Sequence, residues 1–131
     1  MNQAATQDSG KLVLRLVLGA LILLHGIAKL KNGLEPIEGM LAAHNLPAFL
    51  AYGSLIGEVV APLMVLAGFH ARIGAAIIAI NMLFALGLAH MAQLGQLNEQ
   101  GGWAMELQGM FLFTALAILL LGPGRYAINQ R

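Results

Sequence analysis

Four apolar runs, each close to the ~20 residues that cross the hydrocarbon of a bilayer, constrain this chain more than any other feature. They are Leu12–Leu30, Phe49–Phe69, Ile73–Leu94 and Leu107–Leu121. Of the 131 residues, 59% are hydrophobic and 10% charged. Soluble domains are about half apolar and about a quarter charged. A small soluble fold keeps too much of its surface in water to hide this much apolar side chain. The expected fold is an all-α integral membrane protein, one domain over residues 1–131. Four transmembrane helices span about 12–30, 49–69, 73–94 and 106–121 and form a bundle.

The segments between the runs fit that plan. Residues 1–10 are polar and read as a disordered tail. Leu34, Ile37, Met40 and Leu41 recur at helical spacing, with Glu35 and Glu38 between them and Pro36 in a first turn. That pattern predicts a short amphipathic helix at the membrane interface between the first two spans. Gly122-Pro123-Gly124 ends the last run, because neither residue type continues a helix.

Basic residues near span ends set orientation. Lys11, Arg15, Arg72, Arg125 and Arg131 fall on one side, against Lys29 and Lys31 on the other. Both termini are therefore expected in the cytoplasm. A net charge of +1 offers no basic field for nucleic acid. The absence of cysteine excludes thiol redox chemistry and Cys-ligated clusters in this chain. No i,i+4 histidine pair suggests a metal centre.

Ionisable groups inside hydrocarbon are costly, so they face the bundle interior, pair, or snorkel. Glu58 is the most expensive, deep in the second run with no base in reach on its own helix. His25 and Lys29 lie in the outer half of the first span, and Glu106 opens the fourth. Glu58 and His25 are the expected proton-transfer pair. Lys29, Asn81, His90 and Glu106 are the expected ligand-binding groups. Asn81 and His90, nine residues apart, point to nearly opposite faces. Arg15, Gly57, Pro62 and Arg125 are assigned structural roles. Gly57 belongs to a Gly53, Gly57, Ala61 stripe that admits a neighbouring backbone. Pro62 withdraws the N–H due to the Glu58 carbonyl, which predicts a local kink.

In order and spacing these landmarks resemble the DoxX family of small four-helix membrane proteins. The matching residues are Arg15 with Leu18-Gly19, His25-Gly26 and Lys29, then Gly57-Glu58, then Gly68, Arg72 and Gly74. His90, Glu106 and Gly122-Pro123-Gly124-Arg125-Tyr126 complete the set. The resemblance runs from about Lys11 to Ile128. Val59-Val60-Ala61-Pro62 departs from the glycine-rich stretch common in relatives, and Asn129 stands where an aspartate is common. The resemblance implies a four-helix bundle in the bacterial inner membrane. Some members serve membrane oxidoreductase systems, including thiosulfate:quinone oxidoreductase. Three roles follow for this chain: an accessory or quinone-interacting subunit, a small-solute, ion or proton transport component, or a non-catalytic scaffold. Its expected partners are the lipid bilayer, other membrane or oxidoreductase proteins, and further copies of itself. Its one expected cofactor is quinone.

Overall fold

The computed structural model describes residues 2–89, 95–97, 99–102 and 104–131. Helix α1 covers Gln3–Asn32. Residues 3–10 of the expected disordered tail are instead its first turns. The Asn2 side chain accepts a hydrogen bond from the Ala5 N–H at 2.8 Å, an N-cap that starts the helix. Ala4 and Ala5, strong helix formers, carry it on toward the apolar run. At 30 residues α1 is about 45 Å long, more than a hydrocarbon core requires.

Helix α2, Glu35–Ala43, occupies the segment read as amphipathic. Glu35 and Glu38 sit in its first turn, where carboxylates suit the positive end of the helix dipole. Its apolar side carries the buried Leu41. The chain then enters one long helical rod, beginning as a 3-10 turn at Ala48–Leu50 and continuing as α3, Ala51–Leu55. A π-turn at Ile56–Val60 interrupts it, and α4, Ala61–Ala67, completes it. Helix α5 covers Ala71–Ala89 and α6 covers Glu106–Leu121. The helices Gln3–Asn32 and Ala48–Ala67 are each long and apolar enough to cross a membrane, while α5 and α6 are shorter apolar helices.

The rods close a ring: α1 packs on α4, α4 on α5, α5 on α6, and α6 back on α1. Leu18, Ile22, Val65, Ile78, Met82, Phe111, Leu112 and Ile118 fill its centre. Helix α2 lies outside the ring, against α3, α5 and the 3-10 turn. The outer surface carries many large apolar side chains, with Leu24, Phe84, Phe113 and Leu120 all exposed. An exterior like this matches a hydrocarbon solvent, where backbone groups are satisfied within helices and side chains need not be polar.

Arg15 ties one end of the ring together. It is 1% exposed, and no carboxylate pairs with it among the described residues. Its guanidinium donates to four carbonyl oxygens: Val65 at 2.9 Å, Leu66 at 3.1 Å, Pro123 at 2.9 Å and Tyr126 at 2.8 Å. Two of these are end-of-helix carbonyls of α4 that lack partners within the helix. The others belong to the segment after α6, which folds back over the α4–α5 turn. The Asn129 carboxamide oxygen there accepts from the His70 N–H at 3.0 Å, just before α5. Arg125 lies outside, over the Tyr126 ring at 4.9 Å and 4.0 Å from Asp8.

Candidate functional site

Towards the other end the ring opens into a cavity of about 510 Å³ between α1, α2, the π-turn, α5 and α6. Its walls are mostly apolar, with Ile22, Ile77, Leu50 and Phe111 among them. Its polar side chains are His25, Lys29, Ser54, Glu58, Asn81 and Gln108.

Glu58 holds the centre of this group. Its side chain is 7% exposed and forms an ion pair with Lys29 of α1. Ser54, one turn before Glu58, closes the set. It accepts from Lys29 Nζ at 2.8 Å and donates to Glu58 Oε2 at 3.0 Å. An ionised carboxylate in an apolar wall needs both a counter-charge and donors, and this arrangement supplies them from two helices.

The π-turn explains why Glu58 aims inward. Pro62 has no N–H, so the ordinary bond to the Glu58 carbonyl is lost. Ala61 N–H reaches back five residues to the Ile56 carbonyl, and one extra residue is accommodated in the turn. Single π-turns of this kind recur at functional sites. Two glycines let the neighbours close in. A Cβ at Gly26 would collide with the Glu58 carbonyl oxygen. One at Gly57 would lie 2.6 Å from Asn81 Cγ. Gly57 and Ala61, both buried, thus spend their small size on contacts within this chain.

His25 lines the same cavity without bonding to Glu58. Its Nδ1 lies 2.9 Å from the Leu21 carbonyl oxygen, and its ring stands edge-on to Phe111 at 5.6 Å. Asn81 lines the cavity from α5, beside Gly57. Glu106, in the first turn of α6, lies outside the lining, its carboxylate beside Gly102. His90 lies outside the described residues. The structure therefore brings Glu58, Lys29, His25 and Asn81 to one cavity and leaves Glu106 apart. Ser54 was assigned no role from the sequence; its i,i+4 spacing from Glu58 was the available signal. Gln108 carried no such signal, being one polar residue at the start of an apolar run.

Residues 10–91 match the profile of the DoxX family. The chain belongs to the DoxX family. Among DoxX-type relatives, the uncharacterized membrane protein Rv3486 of Mycobacterium tuberculosis is 28% identical over 127 residues, covering 90% of this chain and 78% of its own. CatD of Bacillus subtilis, named as a candidate oxidoreductase, is 27% identical over 122 residues, covering 93% and 86%. No solved structure matches the chain. The family and its membrane-protein relatives put this protein in a membrane. The matched range contains Arg15, Gly26, Gly57 and the cavity-lining His25, Lys29 and Glu58.

Proposed function

We propose that this DoxX protein crosses the bacterial inner membrane four times and serves a membrane oxidoreductase system as an accessory, quinone-interacting subunit. The four spans are α1, the Ala48–Ala67 rod, α5 and α6, with α2 at the outer interface and both termini in the cytoplasm. The basic residues of the inner side support that orientation. A relative named for oxidoreductase activity supports the redox setting.

One observation carries the ligand reading. A cavity of about 510 Å³ is apolar except for one buried ion pair and a few hydrogen-bonding groups. Cavities that hold amphipathic small molecules have this make-up: apolar walls with a small number of placed polar groups. The residues present fit a quinone, which when bound would supply two-electron, two-proton redox chemistry. Phe111, Ile22 and Ile77 would flank the ring, and Leu46, Leu50 and Phe84 would lie along an isoprenoid tail. Asn81 and Gln108 offer amide hydrogens towards the head. Glu58 holds or yields a proton at Oε2, and Lys29 fixes the carboxylate and balances its charge.

Extraction into lipid nanodiscs followed by mass spectrometry of co-purifying molecules tests this. Near-stoichiometric quinone, reduced in Glu58→Gln, is the expected result. Recovery of bulk lipid alone would sink it. The Lys29–Glu58–Ser54 set closes on itself, which favours one competitor: a scaffold whose polar residues only fix helix register. That reading expects unchanged partner binding and no quinone in either protein.

A further inference from the structure

The polar groups around the cavity differ in what they leave free. Lys29, Ser54 and Glu58 are engaged with one another. Asn81 and Gln108 carry amides, which both donate and accept and so tolerate either kind of ligand group. His25 is committed. Its Nδ1 is bonded to the Leu21 carbonyl oxygen at 2.9 Å. A carbonyl oxygen only accepts, so the proton of that bond belongs to Nδ1. In the neutral ring Nε2 then holds a lone pair and no hydrogen. It has no partner among the described residues. Phe111 stands edge-on to the ring at an interplanar angle of 87°.

We infer that the cavity selects a ligand whose aromatic head carries a hydroxyl, with that hydroxyl donating to His25 Nε2. The ligand class is a phenol on an apolar tail. Within a quinone couple this is the reduced, dihydroxylated member, because a carbonyl facing Nε2 would set lone pair against lone pair. The inference rests on the reading of the cavity as an amphipathic-ligand site and adds the head-group chemistry. An acceptor that a bound ligand covers without supplying a donor penalises the wrong ligand, which is how hydrogen-bonding sites discriminate more sharply than apolar ones. The choice falls on one atom.

Two probes isolate that atom: dodecyl 4-hydroxybenzoate and dodecyl 4-methoxybenzoate, identical in tail and ring. Binding of each to the wild-type protein in nanodiscs, expressed against the same lipid reference, should favour the hydroxyl by about fivefold to tenfold. In His25→Phe, which keeps a ring against Phe111, the ratio should fall to near one through weaker binding of the hydroxyl probe. A second readout needs no variant. The nitrogen-15 resonance of His25 Nε2 in wild-type protein should move with the hydroxyl probe and stay still with its methyl ether. Equal binding of the two probes, a ratio that survives His25→Phe, or an unmoved Nε2 resonance would each overturn the inference and leave the quinone reading standing. Failure of both probes to bind would overturn the two together. A clear hydroxyl preference in a protein that co-purifies no quinone would remove the redox reading alone.

Discussion

Removing one member of the Lys29–Glu58 pair strands the other, and burial sets the cost of each loss. The Glu58 side chain is 7% exposed and that of Lys29 27%. Lys29→Met leaves the carboxylate in an apolar wall with Ser54 as its remaining donor. A buried pair that loses one partner is destabilised by about 3–5 kcal/mol, and this variant should fall in that range. Glu58→Gln strands an ammonium instead, but Lys29 lies three residues from the end of α1. Its four-carbon stem lets the charge reach the interface, so the expected cost is smaller, about 1–2 kcal/mol. The double variant Lys29→Met, Glu58→Gln strands nothing and should lie within about 1 kcal/mol of wild type. Unfolding in mixed micelles, followed by helical circular dichroism against SDS fraction, gives all four stabilities. If the double variant instead loses the sum of the two singles, to within about 0.5 kcal/mol, the pair is not a coupled unit and the reasoning fails.

Gly26→Ala should destabilise the protein by about 1–3 kcal/mol, because the new methyl meets the Glu58 carbonyl oxygen across the α1–π-turn contact; a wild-type melting curve would remove the close approach from the account. Arg15→Met should free the segment after α6. The Leu66, Pro123 and Tyr126 carbonyls lose their recorded donor, while Val65 keeps the Gly68 N–H. At about 1–1.5 kcal/mol for each of these three carbonyls left without a donor the expected cost is about 3–4.5 kcal/mol. Amide hydrogen exchange should rise across residues 122–131 and little elsewhere, and uniform protection there would contradict the anchor.

What the sequence disclosed followed from the expense of burying charge. Glu58 stood out because hydrocarbon tolerates a carboxylate only with a partner. Depth along two antiparallel runs then placed Lys29 and His25 near it. Choosing between those two needed three dimensions, since both lie on α1 one turn apart and only the rotation of the helix decides. The kink expected at Pro62 took the form of a π-turn, whose hydrogen bond skips a residue without leaving a mark in hydrophobic spacing. The tail at residues 1–10 misled for a different reason: a polar sequence with an Asn cap and two alanines extends a helix as readily as it dissolves one. Asn129 was noted only as a departure from an aspartate. Its carboxamide oxygen nonetheless accepts from the His70 and Arg131 N–H groups, the service an aspartate oxygen would give at the start of α5. Arg15 was legible as a structural residue, but its four acceptors are all main-chain oxygens, which no side-chain pattern reveals.

The five residues of the π-turn have a bearing on how this protein tolerates changes in length. Because Ala61 reaches back to Ile56, the rod stores one residue that an ordinary helix would have no room for. Deleting the Val59 codon would turn the Ala61–Ile56 bond into an ordinary α-helical one and change the length of the rod by no more than about 1.5 Å. The α-helical segments on either side would keep their register, because the residue removed is the one the wide turn absorbs, and only side chains inside the turn, Glu58 among them, would change heading. The heading of the carboxylate, rather than the length of the span, is what such a deletion would lose. A one-codon deletion here is therefore a more severe edit than a conservative swap at Glu58. It would leave every functional side chain in the gene and aim the most important one away from α1.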